Sequence, residues 1–398
     1  MGRLCGTRIA VVGGGPAGAI AAARLRARGA VVTLFHREPR GGLGKPCGGG
    51  VLPAAFPRSE SIARPLCRAV DVESLTILSP RGRRARIGGG VLFRVFRRSD
   101  LDAALRREAA AAGVLVVEAP VTDIAVSGTG VSVRCGAAVS RHERLVAADG
   151  VRSLVRARLG VPFQDEDLMR AVGYEITGFE PASPARALVA FERRLRGYLW
   201  VFPRPGGASA GACGDAAATP PGELRSRLDA FLESDAAREF VRGGARRLTS
   251  WFIPALSTEA LDRNAVETGP VAFVGDAAGT ADPITAEGIR PAIESAEALA
   301  RAWEKGVPFR AELERSIAPA LRSSAALKGL FYAPPVLEAL VVLADRSATL
   351  RSLLVDLVRG EAGADGVGSR LRRDLFHIFA EAALHRRRGA SPPGGLDS

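Results

Sequence analysis

The chain has 398 residues and is 47% hydrophobic, enough for a large core and for two or three domains or one α/β unit with insertions. Its formal net charge is +13, but only three lysines occur, the arginines are scattered, and aromatics make up 6%. With no basic run interleaved with stacking aromatics, nucleic acid is not an expected partner, whereas contact with anionic lipid headgroups stays open. Cysteines stand at 5, 47, 67, 135 and 213 with no C-x-x-C pair, which argues against a disulfide framework and a zinc or other metal site, and for a reducing cytoplasm.

Residues 9–12 read as a short apolar strand of the kind buried in a parallel sheet. Gly13, Gly15 and Gly18 follow on G-x-G-x-x-G spacing, with Pro16 and Ala17 between them. A small-residue helix over 19–27, Gly29 as its stop and a second strand over 31–35 complete a strand–turn–helix–strand unit. In that context Gly13 makes the tight turn, Gly15 lets the backbone approach a pyrophosphate, and Gly18 lets helix pack on strand. The helix N-terminus offers its N–H groups to the phosphates. The same glycine loop interrupts the apolar N-terminus, so a signal peptide is not expected, and Gly6 removes the serine or threonine of a myristoylation site. No apolar run reaches the ~18 residues that span a bilayer.

The second strand ends in His36-Arg37-Glu38, where an acidic residue usually holds the adenosine ribose; either His36 or Glu38 can accept a hydroxyl proton, or His36 simply ends the strand. Residues 40–50, Arg-Gly-Gly-Leu-Gly-Lys-Pro-Cys-Gly-Gly-Gly, are too rich in glycine and proline for helix or strand and read as a loop passing close to a flat ligand. Strands are predicted at 75–78, 83–87 and 91–96, separated by Pro-Arg-Gly and Gly-Gly-Gly turns, then a helix over 100–112 capped by Ser99. A buried strand follows at 114–117, a hairpin at 121–126 and 131–135, and a strand at 145–148 leading into Asp149-Gly150 and a helix to Leu159. From 171 to 213 short alternating strands appear at 187–191, 198–202 and 208–212, which predicts an antiparallel sheet. A helix over 223–240, a strand at 271–274 ending in Gly275-Asp276, a helix over 284–303 and further amphipathic helices to 383 complete the chain, with a disordered tail expected at 385–398.

Three segments thus share one logic, a buried strand, then Gly or Asp, then a helix start: Gly13–Gly18, Asp149-Gly150 and Gly275-Asp276. Their order and spacing resemble the FAD-binding flavoproteins of the glutathione-reductase and hydroxylase type, over residues 8–160 and 265–300. The resemblance implies FAD as cofactor. It also implies contacts from Arg98 in Arg-Ser-Asp-Leu-Asp, from Asp276, and from residues 282–289, whose Gly288-Ile289 helix start faces the flavin and favours its reduced anion.

Two further segments resemble the geranylgeranyl reductase family: Lys-Pro-Cys-Gly-Gly-Gly at 45–50, with Cys47, Gly48 and Gly49, and Gly-Tyr-Leu-Trp-Val-Phe-Pro at 197–203, with Tyr198, Trp200, Phe202 and Pro203. The family pattern has a proline where Leu195 stands. That family implies an α/β fold. A Rossmann-like FAD-binding domain is expected from residues 1–70, 96–165 and 262–305, a substrate-binding β-sheet domain from 71–95 and 166–261, and a helical region over 306–384. The expected reaction is reduction of C=C bonds in an isoprenoid chain, with hydride from flavin N5 and a proton from an acid. Cys47, Tyr198 and Glu287 are the candidate acids. Strand alternation puts Tyr198, Trp200 and Phe202 on one face, either as an apolar lining for a prenyl chain or as a sheet-core cluster. Cys47 is either a thiol proton donor or a small residue that fits a tight loop. An external donor, NADPH or a reduced redox carrier, is implied, and no second dinucleotide fingerprint occurs to hold it. The substrate is to be collected from a membrane surface, so a peripheral place on the membrane is open beside the cytoplasmic one expected from the cysteines. A flavin monooxygenase or halogenase acting on an aromatic or polyketide substrate is the alternative; a flavin-binding scaffold without activity is the third reading.

Overall fold

The computed structural model describes residues 4–38, 47–55, 68–241, 243–361 and 364–388. Lys45, Pro46, Cys67 and most of the expected tail lie outside the described residues. The chain opens with β1 (Arg8–Val12), α1 (Pro16–Ala27) and β2 (Val31–His36), the predicted unit. Short β3 (Gly50–Val51) precedes a hairpin of β4 (Ala69–Leu78) and β5 (Arg84–Phe96), then α2 (Arg98–Ala111) and β6 (Leu115–Glu118). A three-stranded meander follows, β7 (Asp123–Ser127), β8 (Gly130–Cys135) and β9 (Ala138–His142), then β10 (Arg144–Ala147) and α3 (Leu154–Arg158).

The middle of the chain is β11 (Leu168–Thr177), β12 (Ala185–Ala190), β13 (Gly197–Arg204) and β14 (Gly207–Asp215), then α4 (Pro221–Glu233), α5 (Asp235–Arg238) and β15 (Ala245–Pro254). After α6 (Thr258–Arg263) come β16 (Glu267–Thr268), β17 (Val271–Phe273) and a 3-10 turn at Gly275–Ala278. The rest is helical: α7 (Ile289–Lys305), α8 (Phe309–Ser316), α9 (Ala318–Phe331), α10 (Pro334–Arg346), α11 (Ala348–Arg359) and α12 (Ala364–Arg388).

The first sheet has the order β16-β17-β10-β1-β2-β6 and is parallel except for the β16–β17 pair. Strand alternation divides β1 between two layers: Ile9 and Val11 face the helices with Ala22, Leu25 and Ile293, while Ala10 and Val12 face the meander with Ile124, Val131 and Val133. The alanines of α1 let α7 pack closely, and Arg24–Glu297 (3.0 Å) and Arg28–Glu304 (2.8 Å) tie the pair.

The second sheet has the order β15-β11-β14-β13-β12-β4-β5-β3. Leu199 and Val201 of β13 pack with Leu224 and Leu228 of α4 on one face. Leaves of the C-terminal helices, such as Val341, Leu350 and Leu353, pack on Val72, Leu75 and Ile87 of the hairpin.

Several expected boundaries move. Gly88–Gly90 do not turn the chain: β5 is one strand, and its register against β4 jumps from Ser74↔Gly88 to Val72↔Phe93, so the glycines bulge out of a continuing pair. The second sheet is not purely antiparallel, because β4 and β12 reach it from separate stretches of chain and pair in parallel. Helix α2 starts at Arg98 with Arg97 as its N-cap, so Ser99 lies inside the first turn rather than capping it. Ser234 ends α4 and caps α5, splitting the helix expected over 223–240. Helix α7 starts at Ile289, not at 284, and α12 runs to Arg388 through the first residues of the expected disordered tail. Strands β3, β9, β15 and β16 have no counterpart among the strands that the sequence predicts.

Candidate functional site

β17, β10 and β1 are side by side and parallel, so the loops after them open at one edge, the carboxyl ends where open α/β sheets bind ligands. This brings Gly13–Gly18, Asp149-Gly150 and Gly275-Asp276 together. Gly13 runs at φ +108, and a Cβ there would stand 2.3 Å from the Ala148 carbonyl oxygen; a Cβ on Gly18 would stand 1.8 Å from that of Gly13. Gly15 differs: its backbone is extended, and a Cβ would meet no atom within 4 Å. It caps α1 without a side-chain bond, and Pro16 follows, so the N–H groups of Ala17 and Gly18 have no intrahelical partner beside that open space.

A Cβ on Gly275 would crowd Ala17 (2.8 Å) and Ala292 (3.3 Å), so the first turns of α1 and α7 converge there. Gly288, the N-cap of α7, abuts Asp276: a Cβ would lie 3.1 Å from its Oδ1. Asp149 accepts from the Val155 N–H at 3.2 Å through Oδ2, while its buried Oδ1 has no hydrogen-bond partner among the described residues. Burial pushes its carboxyl pKa up, against hydrogen bonds from Ser153 and the backbone. Beside it Gly150, at φ +85, has open space where a Cβ would point. A buried acceptor without a partner, an open glycine cradle and two uncapped helix starts fit a ligand with a pyrophosphate and hydroxyl groups.

At the end of β2, His36 is buried against Gly14, whose Cβ would stand 2.6 Å from that of His36. Burial lowers the imidazole pKa, and Nδ1 has no hydrogen-bond partner among the described residues, with Glu38 Oε1 3.8 Å away. Glu38 is paired with Arg106, which also donates to the Gly14 carbonyl at 3.3 Å. Both acceptors left open by the sequence are therefore present, one under the glycine loop and one at the surface. Arg37 is exposed beyond them.

The described end of the Cys47 loop is tied to the second sheet and to α2. Phe96 N–H donates to the Gly49 carbonyl at 3.0 Å, and Gly49 N–H to Cys47 Sγ at 3.4 Å. Arg98, 8% exposed, lies beside the Cys47 thiol and is gripped by Asp102, with Nη2 at 3.1 and 3.2 Å from its two oxygens. A Cβ on Gly48 would meet the Phe202 ring at 3.0 Å. Trp200 Nε1 donates to Ser209 Oγ, which donates to the Cys47 carbonyl, each at 3.3 Å.

Tyr198, Trp200 and Phe202 form a ladder on one face of β13, with ring centroids 5.9 and 6.4 Å apart. The indole lies over Gly211 of β14, where a Cβ would collide with it at 2.2 Å. Pro203 falls on the other register, with Leu199 and Val201, and is not brought to the rings.

From the ladder, the Tyr198 hydroxyl donates to the Thr285 carbonyl at 2.6 Å; burial raises its pKa well above that of an ordinary phenol, so the proton stays there. The loop it reaches carries Glu287. Burial pushes the Glu287 carboxyl up to about 7, with Arg290 (3.5 Å) opposing and Asp282 and Glu294 adding. Its buried Oε1 has no hydrogen-bond partner among the described residues.

Tyr198 thus lies near Cys47 and bonds the loop that carries Glu287. Asp102 and Ser209 were missed, although Asp102 stands four residues after Arg98 on a helix, a readable pairing. Among the described residues no group of His, Cys, Asp and Glu is placed to hold a metal ion. No single described helix is long and apolar enough to cross a membrane.

A mostly parallel sheet with this cradle, joined to a cysteine loop and an aromatic sheet face, fits a flavin-dependent oxidoreductase, the class that the relatives show. The chain is 30% identical over 316 residues to digeranylgeranylglycerophospholipid reductase 2 of Methanothermobacter thermautotrophicus, covering 75% of this chain and 79% of that protein. It is 30% identical over 319 residues to the digeranylgeranylglycerophospholipid reductase of Methanoculleus marisnigri, covering 75% and 76%. The chain belongs to the geranylgeranyl reductase family of flavoproteins. Among solved structures, a geranylgeranyl bacteriochlorophyll reductase-like protein from Thermoplasma acidophilum superimposes with a TM-score of 0.76 at 22% identity, covering 93% of this chain and 99% of that one. A flavin-dependent brominase superimposes with a TM-score of 0.67 at 18% identity, covering 94% and 99%. These two likenesses concern the fold alone. No protein-family model matches the chain.

Proposed function

We propose that the chain reduces carbon–carbon double bonds in the prenyl chains of a lipid, with FAD as its flavin. The observation that carries this reading is the joining of the Cys47 loop to the Tyr198–Trp200–Phe202 face, through the contact of Gly48 with Phe202 and the Trp200–Ser209–Cys47 hydrogen bonds. The curated relatives are named for a digeranylgeranylglycerophospholipid, and a prenylated lipid of that class is the substrate proposed here. On this reading residues 1–70, 96–165 and 262–305 hold the flavin, and 71–95 and 166–261 hold the prenyl chain.

An isolated trisubstituted alkene is barely polarised, so its reduction needs water excluded and both reacting groups positioned in advance. FAD held by the Gly13–Gly18, Asp149-Gly150 and Gly275-Asp276 loops would supply the hydride chemistry through N5, with electrons from an external donor such as NADPH or a reduced redox carrier. The residues of the chain supply the rest. The aromatic face excludes water and aligns the prenyl chain. Cys47 gives its thiol proton to the alkene carbon that does not take the hydride, and Arg98, held by Asp102, stabilises the thiolate left behind. Glu287, half protonated near neutral pH, is a second proton store in the loop that Tyr198 bonds. Tyr198 keeps its own proton and donates it in a hydrogen bond to the Thr285 carbonyl.

The lipid is collected from an anionic bilayer surface on the cytoplasmic side. Leu375, Phe376, Phe379 and Leu384 of α12 are exposed, Phe376 at 80%, and so are Leu327 and Leu330 of α9. Arg386–Arg388 follow in the sequence, and the whole chain carries +13. The test is mass spectrometry of prenylated glycerophospholipids incubated with the purified flavoprotein, with and without dithionite. A mass gain of two hydrogens per double bond is expected; no gain with any reductant overturns the proposal.

A further inference from the structure

The loop 282–288 is built on an unusual backbone. Asp282 Oδ1 accepts from the N–H groups of Ile284 (2.9 Å) and Thr285 (2.8 Å), and Ala286 N–H returns to the Asp282 carbonyl (2.9 Å). Ala286 sits at φ +55, the one non-glycine residue with positive φ among those described, a conformation that side chains rarely hold without support from outside. Two tyrosines from different parts of the chain give that support. Tyr198 of β13 donates to the Thr285 carbonyl, and Tyr332, between α9 and α10, donates to the Ile284 carbonyl, both at 2.6 Å. Tyr332 is 4% exposed, and its ring is seated against Phe331 (5.2 Å) and Phe191 (6.3 Å). Burial raises its pKa, so the hydroxyl remains a donor.

We infer that Tyr332 is a positioning residue: it clamps the loop 282–288, and through it Glu287 and the N-terminus of α7, against the flavin site. The inference rests on the proposed reductase reading for its effect on turnover, but not for the clamp itself. The C-terminal helices thereby bear directly on the reaction site, since the only atom of Tyr332 that phenylalanine lacks is the one that reaches the loop.

The test compares the wild-type, flavin-loaded full chain with Tyr332→Phe, which keeps the ring contacts. Hydrogen exchange across 282–289 should quicken about fivefold in the variant, the loss of one hydrogen bond of ~1 kcal/mol. Flavin content should be unchanged. With dithionite as reductant, kcat for alkene reduction should fall about 10-fold or more at unchanged KM, because small misplacements of reacting groups cost up to about 10²-fold. In the Tyr198→Phe, Tyr332→Phe double variant the loop loses both donors, and the loss should exceed the product of the single losses. Should Tyr332→Phe fail to fold, Phe191→Leu loosens the ring seat and should quicken the same exchange. A wild-type protein that reduces no prenyl lipid sinks the reductase reading, and the exchange comparison still decides the clamp. Exchange equal to wild type overturns the clamp; faster exchange with unchanged kcat in an active enzyme overturns the positioning role.

Discussion

Gly15→Ala separates the needs of the cofactor from those of the fold. The backbone at Gly15, φ −79 and ψ −172, is one that alanine adopts without strain, and the added methyl meets no protein atom within 4 Å. The apoprotein should therefore unfold within about 1 kcal/mol of wild type, since a lower unfolded-state entropy and a weaker N-cap roughly offset. The methyl would enter the open space beside the N–H groups of Ala17 and Gly18, where a pyrophosphate is expected to bind. Overpacking of about 1–3 kcal/mol corresponds to a 5- to 160-fold weaker Kd for FAD, and valine should abolish binding. Gly18→Ala is the contrast: its methyl would stand 1.8 Å from the Gly13 carbonyl oxygen, so the turn itself breaks and apoprotein stability falls with cofactor binding. The assay is FAD titration of stripped protein by flavin fluorescence, paired with urea unfolding of the apo forms. Wild-type affinity in Gly15→Ala, or a loss of apo stability matching Gly18→Ala, would refute the cradle.

Cys47→Ala should keep FAD and substrate binding and flavin reduction by the donor, but slow single-turnover alkene reduction by about 10²–10⁴, the usual share of a general acid; a wild-type rate would make the residue structural. Glu287, with a pKa raised by burial to about 7, is protonated below that pH, so a turnover that draws on it should decline as pH rises through 7, and Glu287→Gln should remove that limb. The same shift acts on stability. The folded state binds the proton more tightly than the unfolded one, so stability is lost as pH rises from about 4.5 towards 7, by on the order of 3 kcal/mol, and Glu287→Gln apoprotein should gain on wild type at pH 8; equal pH dependence of the two would contradict the shift. Flotation with anionic vesicles should weaken with salt, and Phe376→Ser with Phe379→Ser should cut it about 10-fold or more; flotation equal to wild type would exclude that face.

Short-range patterns carried most of the fold and pointed to the candidate cofactor site. The glycine spacing at 13–18, the apolar strands and the Asp-Gly and Gly-Asp strand ends each depend on neighbours within a few residues, so their chemistry is written locally. The alternation of Tyr198, Trp200 and Phe202 likewise follows from the two-residue period of a strand. What brings these pieces together was not legible. The Cys47–Ser209 contact and the Tyr332–Ile284 bond span 162 and 48 residues, and no periodicity announces such a meeting. Nor did local propensity place the start of α7. The sequence over 284–303 reads as one helix, but Asp282 takes the backbone donors of Ile284 and Thr285 for itself, and Tyr198 and Tyr332 hold the carbonyls that remain. At Gly88–Gly90 the glycines announced a turn, and pairing along the whole of β4 made them a bulge. Local pattern sets which segments can bend around a phosphate or line an apolar face. Which of them touch is a matter of the folded chain, because hydrogen bonds and packing across distant segments outweigh the few tenths of a kcal/mol by which local preference favours one conformation over another.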